Sequence, residues 1–524
     1  MDVANDDPAS PKSSLILFAL AVALYVAARL WRLTASCLWF DEIFGVHAAR
    51  HDWRALIDFV AADIIHPPLF YILLKIWIAA GGETLLWLRL FPALTAVAAI
   101  VPFVLLCREL RLKTSETNLA LLLLAVNGYL IKYAQEVRMY SLMLFFALCS
   151  LWLFARFINR KSDSHRTLAA LTLVNLLLVY THYFGGMLMT IELLFLLWRA
   201  RRKAAMFLTS IAGLVLCYVP WIAAVIGHAP RAGALEQNLG WAARPGVFDV
   251  LQFFALLHEI FYYRQSSHEP VFLSASAALG VVLLILPALL LLWRAWKREP
   301  PEDTTPLSTI RFLLFFALTP IALAFTFSQF LPQSIWGTRH LSIVAAPYLT
   351  LIAVALHRLR PAWMKAVVIA LLCCWALVAG MLHVTKRAEI YVWCAWEPLA
   401  GEVLKAESST RGEVKIYAFE DLVAYHLWFG LDATGETRFR VAVVKDIPGL
   451  VEDRAYFLPR RFNEIEVTNA DNLRGDYFWL AFRDAAWDMS RPPLKTVIDK
   501  GYRVGVPVEI VATGGRAFIV PVRR

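Results

Sequence analysis

Eleven apolar runs, each near the length of a bilayer crossing, constrain this chain more than any other feature. They are Leu15–Leu33, Leu85–Cys107, Asn118–Ile131, Tyr140–Ile158, Thr167–Thr181, Phe184–Trp198, Ala204–Ile226, Val271–Trp293, Ile310–Leu331, Leu341–Leu356 and Lys365–Thr385. A spanning helix needs about 20 mostly apolar residues, and fewer where neighbours help. Composition agrees: 59% of residues are hydrophobic and 18% charged, against roughly 45–50% and about 25% in soluble domains. That excludes a soluble enzyme, a disordered chain and a nucleic-acid binder. The expectation is a mainly α polytopic membrane protein. Asp2, Asp6 and Asp7 precede a full-length run rather than a signal-peptide pattern, so the first run reads as an uncleaved span.

One further run, Leu69–Ala80, has 12 residues with Lys75 in its middle. As a helix it reaches about 18 Å, too short to cross. If it does not cross, the dense basic loops fall on one side: Arg108-Arg111-Lys113, Arg156-Arg160-Lys161-Arg166, Arg199-Arg201-Arg202-Lys203, Arg294-Lys297-Arg298 and Arg358-Arg360. Such loops face the cytoplasm. Leu69–Ala80 is therefore expected to lie along the outer interface. An odd number of spans then leaves the N-terminus inside and the C-terminal region outside, which suits a multi-pass protein of the cytoplasmic (inner) membrane.

Charge divides the chain in two. From Lys386 onward there are 20 Lys/Arg and 20 Asp/Glu, while residues 1–385 hold the other 31 and 21, so the whole +10 sits there. Residues 1–385 read as the membrane module and 386–524 as an extracytoplasmic (periplasmic) domain. The second carries strand-like runs Val414–Phe419, Tyr477–Phe482 and Val506–Ala512 and a helix-like run Leu422–Gly430, the pattern of a small α/β domain. The basic excess suits cytoplasmic loops and anionic lipid substrates rather than nucleic acid. Five of the seven cysteines lie in apolar runs. Cys37 and Cys394 both fall outside the membrane and could pair, but nothing in the sequence shows them close, so the sequence leaves the bridge open.

Polar residues concentrate on the outer loops and their flanks. Leu38-Trp39-Phe40-Asp41-Glu42 opens the first loop. Its acids read either as solvated neighbours of an aromatic anchor or as a general base at the bilayer surface. His66-Pro67-Pro68 ends that loop; the prolines suit a stop and a first helical turn, which alone favours a structural reading of His66, the functional alternative being that they fix His66 beside the loop acids. Lys132-Tyr133-Ala134-Gln135-Glu136-Val137-Arg138-Met139-Tyr140 is a charged turn between two spans. Tyr180-Thr181-His182-Tyr183 and Trp336-Gly337-Thr338-Arg339-His340 complete the set. Arg339 can snorkel or clamp a phosphate, and Arg29 and Arg32 present the same choice. Glu192 is a carboxylate within a span, a functional candidate unless it pairs with a neighbour.

Five of these clusters, in order, resemble a family. Phe40-Asp41-Glu42, His66-Pro67-Pro68-Leu69, Gln135-Glu136-Val137-Arg138-Met139-Tyr140, Thr181-His182-Tyr183 and Arg339-His340-Leu341 look like the GT-C glycosyltransferases of the protein O-mannosyltransferase and lipid A aminoarabinose transferase branch. The likeness is close over roughly the first 200 residues and looser from Arg339. It implies transfer of a sugar from a polyprenyl-phosphate carrier to an acceptor hydroxyl on the outer face: lipid A or core oligosaccharide, another glycan, or a protein. Asp41 or Glu42 would be the catalytic base, the family pattern favouring Asp41. Lys75, His66, Glu136, Arg138, Tyr140, His182 and Arg339 would bind substrate, with Arg and Lys on the phosphate. The chemistry needs no metal, although His66, Asp41 and Glu42 leave a divalent ion open as an alternative. His340 departs from the family, standing where an aromatic is common, and Phe40 stands where Tyr is frequent. The competing class is a lipid or sugar transporter, or flippase. That would place polar groups at the bilayer midplane in paired, interrupted spans, whereas here polarity gathers on one face.

Overall fold

All eleven apolar runs contain helix. The computed structural model describes residues 11–159, 164–228, 242–262, 274–296, 306–386, 390–450, 456–460 and 462–524. Parts of the expected outer loop Gly227–Pro270 and of two basic loops lie outside the described residues. The first twelve helices are α1 (Pro11–Leu30), α2 (Phe40–Arg50), α3 (Trp53–Asp63), α4 (Leu69–Gly81), α5 (Leu85–Ala98), α6 (Ile100–Glu109), α7 (Thr114–Val126), α8 (Gly128–Ala134), α9 (Tyr140–Asn159), α10 (Ser164–Thr181), α11 (Phe184–Arg199) and α12 (Arg201–His228). They continue with α13 (Val247–Leu257), α14 (Ala275–Trp296), α15 (Leu307–Phe330), α16 (Ala345–His357) and α17 (Ala362–Thr385). Among the described residues, seven segments are long and apolar enough to cross a membrane: Lys12–Leu30, Leu85–Glu109, Tyr140–Asn159, Arg201–His228, Ser308–Phe330, Thr338–His357 and Ala362–Thr385. The other expected spans form shorter helices or lie partly outside the described residues. Leu69–Gly81, Thr114–Val126 and Val247–Leu257 are apolar but shorter. One reason is local: the run Asn118–Ile131 is broken at Asn127, whose side chain caps α8 by accepting from the Leu130 N–H.

The chain clusters into two compact units. The first comprises residues 1–33 and 64–386, the second residues 34–63 and 387–524. The boundary near Lys386 falls where charge density changes. The difference lies in the first loop: α2 and α3, expected within the membrane module, group with the C-terminal region. The cause is covalent and apolar together. Cys37 and Cys394 form a disulfide, with Cα atoms 5.3 Å apart, a pairing the sequence left open. Phe40 and Ile43 are buried in the same core as Trp396, Tyr425 and Trp428.

In the membrane unit α16 is buried from Ala345 to Leu356, as expected of a helix apolar on every side. Helices α1 and α17 instead expose Leu15, Leu20, Leu377 and Met381, a surface suited to lipid. Buried polar groups are tied into pairs. Arg29, 1% exposed, donates to the carbonyls of Leu124 and Ala125 and covers the Tyr25 ring. Arg32 donates to the carbonyls of Val384 and Lys386. Glu192 meets Ser150 at 2.6 Å and Asn175 at 2.9 Å, joining α9, α10 and α11. Arg29 and Glu192 hold helices together where water is absent, while Arg32 is only half-buried.

The C-terminal unit is a seven-stranded sheet: β1 (Val414–Ala418), β2 (Phe439–Lys445), β3 (Glu466–Asn469), β4 (Tyr477–Asp484), β5 (Arg503–Val504), β6 (Val508–Ala512) and β7 (Gly515–Arg523). Its order is β3-β2-β1-β4-β7-β5, with β6 also on β7. Strands β1 to β4 pair in parallel and β7 runs antiparallel to β4. Each face has its own core, as a sheet covered on both sides requires. One holds Tyr417, Phe478 and Phe518. The other holds Ile416, Trp479 and Ile519 beneath α18 (Trp396–Ala406), α19 (Asp421–Asp432) and α2.

Candidate active site

Three turns of the membrane unit build one polar cluster. The first is the segment before α4, where Pro67 and Pro68 halt the chain and hold His66 buried. The second joins α8 to α9. Expected as a charged turn, it is buried from Glu136 on: Glu136, Val137, Arg138, Met139 and Tyr140 are each at most 7% exposed. The third joins α10 to α11. Here the His182 N–H bonds Leu178 and the Gly185 N–H bonds the His182 carbonyl. A Cβ at Gly185 would sit 2.9 Å from the Leu178 backbone, so only glycine lets the two helices close so tightly. The 3₁₀ turn Thr338–Val344 that leads into α16 brings Arg339 and His340.

Arg138 is 3% exposed and lies 3.5 and 3.4 Å from the two ring nitrogens of His66. A guanidinium nitrogen equidistant from both lies over the ring rather than along a lone pair. The ring of His182 stands 5.7 Å from His66 and 4.9 Å from His340, and Tyr140 is 6.4 Å away. Lys132 pairs with Glu136 and covers the Tyr133 ring. The Tyr129 hydroxyl donates to the Thr338 carbonyl at 2.7 Å, tying α8 to the 3₁₀ turn.

His182 has a defined tautomer. Its Nδ1 accepts the Phe184 N–H at 3.1 Å. Burial holds its pKa well below the usual value, helped by His340, His66, Arg138 and Arg339. The ring is therefore neutral with its proton on Nε2. That Nε2–H is buried and meets no acceptor among the described residues. A buried donor without an acceptor costs about 1–3 kcal/mol. With Arg138 beside it and Arg339 in its field, the group it suits is an anionic oxygen.

The C-terminal unit holds the paired acids. Asp41 and Glu42 begin α2, and only Asp41 keeps partial exposure between Phe40 and Ala49. Glu42 is fully buried, and its carboxylate accepts the Trp39 N–H at 3.1 Å. It is thereby engaged as a helix cap. His47, two turns on, is also buried. Burial, with His51 and Arg50 nearby, pushes it down to about 3, so it is neutral at physiological pH.

The structure thus gathers His66, Arg138, Tyr140 and His182 in one cluster, with Arg339 in the field of its histidines. Glu136 is on the same turn, engaged with Lys132. Lys75 is half-buried on α4, which packs against α5 and α10. Asp41 and Glu42 belong to the second unit. Among the described residues no three His, Cys, Asp or Glu side chains form a group that could hold a metal ion. Sequence reasoning missed His340. It read that residue as a departure at an aromatic position, and the ring does pack as an aromatic, 4.9 Å from His182 and 5.1 Å from Phe184.

No family model matches the chain, and no curated protein matches it in sequence. Its structure is similar to that of ArnT from Cupriavidus metallidurans bound to undecaprenyl phosphate, with a TM-score of 0.59 and 13% identity over 98% of each chain. The apo state of that protein gives 0.57 at the same identity and coverage. The archaeal oligosaccharyltransferase AglB from Archaeoglobus fulgidus, in complex with an inhibitory peptide and a dolichol-phosphate, gives 0.49 at 15% identity, over 80% of this chain and 63% of that one. The ArnT likeness runs through both units and spans nearly the whole of both chains. This is therefore a multi-pass membrane chain with an ArnT-like fold.

Proposed function

We propose that the protein is a membrane glycosyltransferase that moves a sugar from a polyprenyl-phosphate carrier to an acceptor hydroxyl. The observation that carries this reading is the buried Nε2–H of His182 beside Arg138, in a chain with the fold of a protein solved with undecaprenyl phosphate. In the reaction the acceptor oxygen bonds to the anomeric carbon as the bond from that carbon to the phosphate oxygen breaks. The electron pair leaves on the phosphate, giving polyprenyl phosphate. Arg138, Arg339 and Lys75 offset that charge, and His182 donates to a phosphate oxygen. The acceptor proton passes to Asp41, the family's acid in the first loop. Glu42 is the weaker candidate because its carboxylate already caps α2. The acceptor is a glycolipid such as lipid A or core oligosaccharide, another glycan or a protein. Undecaprenyl phosphate added to the purified protein is expected to raise its thermal midpoint, while undecaprenol, which lacks the phosphate, is not. Equal shifts with both lipids would leave the polar cluster without its role.

The reading includes an orientation, with residues 34–63 and 387–524 on the outer, oxidising side. The Cys37–Cys394 disulfide supports it, because such bonds persist in oxidising compartments. On this reading α4 lies along the outer interface. Cysteines at Glu83 and Ser408 should both react with an impermeant maleimide on intact cells. Glu83 is the better probe than Gly82, whose φ of +83° strains any side chain. Labelling at Ser408 with protection of Glu83 would mean that α4 crosses the membrane.

A further inference from the structure

We infer that Tyr425, on helix α19 of the C-terminal sheet domain, is the positioning residue for Asp41. This rests on the reading of Asp41 as the base. Helix α2 is fastened to the sheet domain along its length, and every fastening lies within one unit. The Cys37–Cys394 bridge precedes the helix by three residues. The Phe40 ring, next to Asp41, stands 5.2 Å from Tyr425 and 5.2 Å from Tyr456. Two turns later His47 Nδ1 and the Tyr425 hydroxyl are hydrogen-bonded at 2.9 Å. At the far end Arg50 pairs with Asp432 at 2.7 Å.

Residues 40 and 47 share a helix face, seven positions apart. Tyr425 therefore touches that face at both ends of the segment that carries Asp41. It is fully buried and stacks on Trp428. His47 is packed by Phe59, Trp428 and Phe462, each with its ring centre within 5 Å. The Tyr425–His47 bond is thus a buried polar contact within an aromatic seat. It fixes the rotation of α2 about its own axis, which apolar packing alone specifies loosely. Rotation decides where the carboxylate of Asp41 points, and a misplacement of about 1 Å costs on the order of 100-fold in rate.

The experiment is a double-mutant cycle in full-length protein. The probe is the radiophosphate-labelled polyprenyl-phosphate sugar fraction extracted from the source membranes, with release of labelled polyprenyl phosphate as the readout. Tyr425→Phe keeps the ring and removes the bond. It is expected to lower kcat by on the order of 10-fold to 100-fold with an unchanged KM for the carrier. In an Asp41→Asn background the same change is expected to cost less than about 2-fold, because the group being positioned is already inert. His47→Leu, which leaves no hydrogen-bonding group for the Tyr425 hydroxyl and so breaks the bond from the other side, should repeat the pattern and stands in if Tyr425→Phe fails to fold. An equal loss in both backgrounds, or a normal kcat in Tyr425→Phe, would overturn the positioning role alone. Normal turnover in Asp41→Asn would overturn the base and the positioning role together.

Discussion

Asp41→Asn is expected to lower turnover by on the order of 10²–10⁴ while leaving carrier binding intact. The substitution keeps shape and removes basicity, and that range is what a general base contributes. The structure separates Asp41 from its neighbour. Glu42 is buried and accepts the Trp39 N–H, whereas Asp41 keeps partial exposure. Glu42→Gln retains an acceptor for that N–H and should turn over close to normally. Glu42→Ala should cost about 1 kcal/mol of stability through the lost cap and little in chemistry. Near-normal turnover in Asp41→Asn with a dead Glu42→Gln would reverse the assignment. If both variants are active, Glu136 is the next carboxylate to examine, although Lys132 already engages it.

The second large effect is expected at Arg138. Arg138→Gln should weaken undecaprenyl phosphate binding by on the order of 10-fold to 100-fold, the value of about 1.5–3 kcal/mol for a charge-assisted hydrogen bond. Arg339→Lys keeps the charge and loses the planar fork, so about 10-fold is expected there. Titrating each variant with the lipid while following thermal stability checks both. Unchanged affinity in Arg339→Lys would assign that side chain to snorkelling at the helix end. Unchanged affinity in Arg138→Gln would remove the phosphate from this cluster.

Much of the fold was legible because apolar length is a local property. The membrane helices, the brevity of α4 and the run that became α19 followed from periodicity and length. Strands β1, β4 and β6 were legible as short β-rich runs. Strands β2 and β7 were equally apolar but went unread, and β7 contains Pro521, which argues against a strand. What stayed hidden depends on distant pairing. The Cys37–Cys394 bridge joins residues 357 positions apart, and no spacing rule announces such a pair. The grouping of α2 with α19 was hidden for the same reason. At the site, the residue types were readable as motifs. The tautomer of His182 and the capping role of Glu42 were not, since each depends on which backbone N–H a side chain meets.

The central claim is that a sugar leaves a polyprenyl phosphate held at the Arg138–His182 cluster. Release of polyprenyl phosphate from its labelled sugar-carrying form, measured in membranes containing the protein, tests it most directly. Acceptor-dependent release is expected with the wild-type chain, and almost none with Asp41→Asn or Arg138→Gln. Carrier that crosses the membrane with its sugar still attached, and no release of polyprenyl phosphate, would contradict it and favour a flippase.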